Sequence, residues 1–134
     1  MIEEKYYFKT TLDIPYDKAV EKVRAALADE GFGILTEIDV KATLKEKIDV
    51  NFRPYIILGA CNPPFAYKTL QVEEQIGLML PCNVVVQEAA AGGSIVAAIN
   101  PLVAMQSVGN PELEPTAKEV TDKLRRVVQA LEAL

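Results

Sequence analysis

Two cysteines are the side chains of this chain best suited to nucleophilic or soft-ligand chemistry near neutral pH. The 134 residues include no histidine. That excludes a Ser-His-Asp triad, a Cys-His dyad, an HExxH zinc helix and a zinc finger of the two-Cys, two-His type. Any general base must be a retuned carboxylate, Lys, Tyr or Cys. Cys61 and Cys82 stand in related stretches, Gly59-Ala60-Cys61-Asn62-Pro63 and Leu80-Pro81-Cys82-Asn83. Each places Cys-Asn at the end of a strand beside a proline. The candidate ligand-binding or redox residues are therefore Cys61, Asn62, Pro63, Cys82 and Asn83.

A cysteine opening a helix meets unpaired N–H groups, whose positive potential favours thiolate. Cys61 is the candidate nucleophile on that ground, and Cys82 a resolving or co-ligand thiol. As metal ligands, two thiolates without histidine do not complete a standard zinc site unless carboxylates or a second subunit contribute. They suit a soft ion such as Cu(I), with Met79 or Met105 assisting. The opposing reading is that both are small apolar fillers. Gly92-Gly93-Ser94 lacks the spacing and the Lys of a phosphate loop, and a hairpin turn explains it. Glu3-Glu4 and Glu73-Glu74 read as solvated pairs. Tyr6, Tyr7, Tyr55 and Tyr67 read as core or rim.

The elements that must position these residues follow from hydrophobic pattern. Lys5 to Ile14 is rich in aromatic and β-branched residues and predicts a strand. Asp13 to Pro15 starts a helix in which Tyr16, Val20, Val23 and Leu27 form one stripe, stopped at Gly31. Gly33 to Val40 predicts a strand, Ala42 to Asn51 a short helix, and Pro54 to Cys61 a buried strand. Asn62 as cap and Pro63 at the first position open a helix through about Leu70. Cys82 to Ala89 and Ser94 to Asn100 predict a hairpin around a two-residue Gly92-Gly93 turn. That register sets Val86 opposite Ile99 and Glu88 opposite Ala97. One face then carries Val84, Val86, Ile95 and Ile99. The other carries Val85, Gln87, Val96 and Ala98, an apolar set suited to a partner subunit or a cleft. Asn100-Pro101 and Asn110-Pro111 each mark a turn or helix start. The last helix begins near Pro115. Its stripe of Ala117, Val120, Leu124, Val127, Leu131 and Leu134 faces the core, with Glu119–Lys123 and Asp122–Arg126 pairs on the flank.

Composition bounds the remainder. Half the residues are hydrophobic, a quarter are charged, and the net charge is −5. These values describe one ordinary globular domain over residues 1–134. The acidic balance opposes nucleic-acid binding, because Lys and Arg form no block; Lys123, Arg125 and Arg126 are interleaved with acids. No segment reaches the roughly 20 apolar residues of a membrane span. Met1 leads directly into charged residues, so no signal peptide is expected, and the expected location is cytoplasmic. Thiols stay reduced there, so Cys61 and Cys82 are expected to be free. Mixed hairpins and helices predict an α+β fold, an antiparallel sheet packed against helices.

The stretch Gly59 to Pro63 with Ala66 and Leu70, then Gly77-Leu78, Leu80-Pro81-Cys82-Asn83-Val84-Val85-Val86 and Asn100-Pro101, resembles the domain-of-unknown-function family 302. The resemblance implies a fold akin to the TATA-binding-protein half-repeat with an added strand, and a homodimer. It implies no settled activity. The family's characteristic cysteines correspond to Cys61 and Cys82, and its helix-opening proline to Pro63. Likeness to a DNA-binding fold does not carry DNA binding with it.

Three functions are compatible with these residues. The leading one is a small cytoplasmic homodimeric module binding a small molecule or soft metal ion near Cys61 and Cys82. The second is a thiol-dependent redox or transfer enzyme with Cys61 as nucleophile, which requires a depressed Cys61 pKa. The third is a structural or interaction protein, dimerising through Val96 and Ala98. No cofactor is assigned.

Overall fold

The computed structural model describes residues 1–3 and 6–134. Lys5, where the first predicted strand begins, and Glu4 of the Glu3-Glu4 pair lie outside the described residues. Six strands form one antiparallel sheet: β1 (Ile2–Glu3), β2 (Tyr7–Leu12), β3 (Gly33–Asp39), β4 (Tyr55–Cys61), β5 (Cys82–Glu88) and β6 (Ser94–Ile99). Their spatial order is β1-β2-β6-β5-β4-β3. The fold is α+β, as the element order predicts.

Helices α1 (Tyr16–Asp29) and α5 (Glu114–Glu132) pack on one face of the sheet and on each other. Their stripes meet the inward side chains of the strands. Phe8, Leu58, Val84, Val86, Val96 and Ala98 from the sheet lie in one buried cluster with Val23 and Leu27 of α1 and Leu124, Val127 and Leu131 of α5. The three-four spacing of α5 is thus a core stripe, except at Leu134, which is exposed.

Gly31 stops α1 as its type predicts. It adopts a left-handed φ of 84°. Its N–H donates to the Ala28 carbonyl at 3.0 Å, and the Phe32 N–H donates back to Leu27 at 3.0 Å. This pair of hydrogen bonds satisfies carbonyls that a helix end otherwise leaves open, and it turns Phe32 into the core beside Leu27. Helix α2 (Val40–Ile48) is capped by Asp39, whose Oδ1 accepts the Ala42 N–H at 2.9 Å. Helix α3 (Pro63–Val72) runs into a 3₁₀ segment, Glu74–Met79, that the sequence pattern did not indicate. The short α4 (Pro101–Ala104) is capped by Asn100, whose Oδ1 accepts from Leu102 N–H and from the buried Thr121 hydroxyl.

Two expectations are corrected here. The hairpin is closed by five residues, Ala89 to Gly93, so Val86 stands opposite Val96 and Glu88 opposite Ser94. The expected register is wrong by three residues. An odd slip moves every β6 side chain to the other face. Val96 and Ala98 therefore lie in the core, while Ile95, Ala97 and Ile99 share the partly exposed face with Val85 and Gln87. A dimer seam through Val96 and Ala98 is thereby removed.

The helix-flank ion pairs also differ. Lys123 and Arg126 both reach Glu30, just past the end of α1, at 3.9 and 3.0 Å. Arg125 bridges Asp122 at 2.8 Å and Glu3 at 2.7 Å. Packing of α1 and β1 against α5 offers these cations acids that local spacing does not reveal.

Candidate functional site

Strand β4 ends at Cys61 and β5 begins at Cys82, so the two motif stretches meet at one end of the sheet. Ala60 is paired with Cys82 across the ladder, which leaves Cys61 one position further along. From strand spacing and rise, the cysteine Cα atoms are about 6 Å apart. Both cysteines are free thiols and half-buried. They border one half-open cavity of about 40 Å³, lined also by Phe32 after α1, Phe65 of α3, Val120 of α5 and Met105. Apart from Asn62 and Thr residues the lining is apolar. This volume admits an ion or one or two water-sized groups, far below the several hundred Å³ of a metabolite pocket.

Electrostatics follow from this burial. Desolvation raises the Cys61 thiol above its ordinary value. It pushes Cys82 up to about 11, and a charge on Cys61 adds to the rise. The expectation of a depressed Cys61 pKa is therefore corrected. Burial among apolar side chains keeps the proton on the thiol, and the start of α3 does not reverse it.

The five predicted residues divide. Cys61, Cys82 and Asn62 line the cavity together. Asn62 occupies the cap position of α3, but its side chain makes no capping hydrogen bond. Pro63 is exposed at the first turn of α3 and has a structural part. Asn83 is exposed and lies on the opposite side of the sheet from its neighbour Cys82, since successive strand residues face opposite ways. Of the two methionines, Met105 borders the cavity, and Met79 is exposed and away from it. Sequence reading missed Phe32 and Phe65; their signal was position, one residue past the Gly31 stop and one turn into α3. Among the described residues, no group of three or more His, Cys, Asp or Glu side chains is placed to hold a metal ion. No helix among them is long and apolar enough to cross a membrane.

These features define a small α+β domain: one antiparallel sheet, one helical layer, and a thiol-lined cavity where β4, β5 and α3 converge. The family model for the domain of unknown function DUF302 matches residues 8–131, and the chain belongs to that family. Its fold is similar to the crystal structure of an uncharacterized conserved DUF302 protein from Bacillus stearothermophilus. That likeness has a TM-score of 0.82 and 25% sequence identity, and covers 94% of this chain and 95% of the other. No curated protein matches the sequence.

Proposed function

We propose that this domain is a homodimeric cytoplasmic module that holds one soft monovalent metal ion, of the Cu(I) type, between Cys61 and Cys82. The observation that carries this reading is the shared cavity: Cys61, Cys82 and Met105 all line a space of about 40 Å³, and both cysteines are free. That space suits a bare ion better than a metabolite. Thiolates and thioethers favour soft, low-coordinate ions, and the third hard ligand that zinc would want is missing among the described residues. Binding exchanges two thiol protons for the ion, so affinity rises with pH. Reduced thiols, as in the cytoplasm, are a requirement.

Anaerobic Cu(I) titration against a coloured chelator tests it. One ion per chain is expected. Cys61→Ser or Cys82→Ser should weaken binding at least about 10–100-fold, the loss that even second-shell changes produce at metal sites. Failure of the folded protein to compete with the chelator would sink the reading.

The enzymatic alternative loses its main support, because a nucleophilic thiol needs a lowered pKa and burial raises this one. The dimer rests on the family resemblance and on exposed Tyr67, Leu70, Val72 and Leu78 along α3 and the following 3₁₀ segment. Sedimentation at micromolar concentration checks it. A monomer there removes the dimer and leaves the ion site standing.

A further inference from the structure

The face of the sheet away from α1 and α5 has a composition unlike the rest of the chain. One row runs across all six strands: Ile2, Lys9, Ala97, Val85, Ile57 and Ile38. Beside it lies an open cleft of about 400 Å³. Small Ala97 and Val85 form its floor. Tyr7 and Lys9 of β2 make one wall, and Tyr55 of β4 the other. Tyr7 and Tyr55 stand diagonally across the cleft, three strand spacings and four residues of rise apart, roughly 19 Å between Cα atoms, which leaves room for a flat ring and its substituents. Asn83 and Gln87 of β5 add amides between them.

Charge selects among occupants. The chain has 19 acids against 14 bases. Yet among the described residues that line the cleft, Lys9 is the one charged side chain and no acid is present. Lys9 is half-buried. A second cation stands at the rim, where Arg53 lies 5.7 Å from the Tyr55 ring and donates to Gln87 Oε1 at 2.9 Å. With its oxygen so engaged, the Gln87 amide keeps its N–H groups for another acceptor. The phenol rings offer stacking surface, and Tyr6 lies edge-on to Tyr7 with centroids 4.8 Å apart.

We infer that this cleft is a second ligand site, for a small planar anion such as an aromatic carboxylate, with Lys9 as its counter-charge and Tyr7 and Tyr55 as its walls. It is independent of the cysteine cavity, which opens on the other side of the sheet. The volume matches an aromatic metabolite. Lys9 on the wall, with no acid among the described lining residues, favours anions over neutral or cationic rings.

Amide chemical shifts recorded while 4-hydroxybenzoate is added give the test, with neutral 4-hydroxybenzamide as control. Saturable shifts are expected at Lys9, Asn83, Val85 and Ala97, with the anion bound roughly tenfold or more tightly than the amide, the scale of one charge-assisted contact. Lys9→Met should erase that preference, and Lys9→Arg should retain it. Both substitutions lie off the core, and an unchanged circular dichroism spectrum confirms folding. No saturable shift at millimolar probe, equal affinity for the two probes, or a preference that survives Lys9→Met would overturn the site. So would a dimer that Val85→Glu dissociates, because a second copy would then cover this face.

Discussion

The two faces of the sheet are built from alternate residues of the same strands, yet they do different work. Toward the helices, β6 presents Ser94, Val96 and Ala98, all buried. Away from them it presents Ile95, Ala97 and Ile99, all partly exposed. One face holds the molecule together and carries the cysteine cavity at its end. The other contributes little to the core and is left with a cation, phenols and amides over a small-residue floor. A residue's worth here is set by its parity along the strand more than by its type. Cys82 and Asn83, adjacent in a single motif, serve opposite sides.

The sharpest way to break this comparison is a charge moved by one residue. Val96→Asp places an unpaired carboxylate in the core. It should cost more than about 4 kcal/mol and unfold the domain, read by urea denaturation. Ala97→Glu, next along the chain, should change stability by less than about 1 kcal/mol in the same assay. Equal effects would show that the faces are not distinct.

Next in size is the pH response of the half-buried Cys82 thiol. Folding raises the Cys82 pKa from 9.0 to about 11, so the native state holds this proton more tightly than the unfolded chain. The contribution is complete below pH 9 and is lost as pH rises through about 11. That loss is about 2.7 kcal/mol once complete, most of it by pH 11, and Cys82→Ser should lack it. Denaturation midpoints of the two proteins between pH 8 and pH 11, on the order of the window given by these values, check the sign.

Gly59 tests the join between the faces. A Cβ there would meet the Thr36 hydroxyl and lie 2.8 Å from Pro81 Cγ. Gly59→Ala should cost about 1–3 kcal/mol and lower the melting temperature. It should also disturb Cu(I) binding, because Pro81 directly precedes Cys82. The smallest effect expected is at the rim of the helical side. Arg126→Ala removes an exposed partner of Glu30 and should cost under about 1 kcal/mol in denaturation at low salt.

Helices and strands were both legible as elements. The α5 stripe, the Gly31 stop and the Asn100 cap each depend on near neighbours in sequence, where a local pattern carries the physical cause. The hairpin register was not legible. Ala89, Ala90 and Ala91 follow Glu88 with no turn-forming residue to mark the strand's end. The chain instead closes with the Ala89 N–H donating to the Gly93 carbonyl at 3.1 Å. The convergence of Cys61 and Cys82 could be suspected from their matched surroundings. That Met105 joins them and Met79 does not depends on how the segment after β6 folds back over α3 and α5. The open-face cleft was half legible: the hairpin face carrying Val85 and Gln87 pointed to it, but its walls come from strands distant in sequence. The thiol pKa was misjudged because helix position is local, whereas the burial that overrides it comes from segments distant in sequence.

The hairpin tip has a practical consequence. Gly92 and Gly93 both take left-handed φ values, 90° and 76°, yet their surroundings differ. A side chain on Gly93 would press within 2.6 Å of the Leu12 carbonyl, and the neighbouring Ser94 hydroxyl donates to Ile14 at 2.9 Å. Gly92 faces open space. The tip is thus clasped on its β6 side and loose on its β5 side. Foreign sequence spliced between Ala91 and Gly92 would leave the clasp, and the register it protects, untouched. A fluorophore, affinity tag or second domain attached there would report on either face of the sheet while obstructing neither.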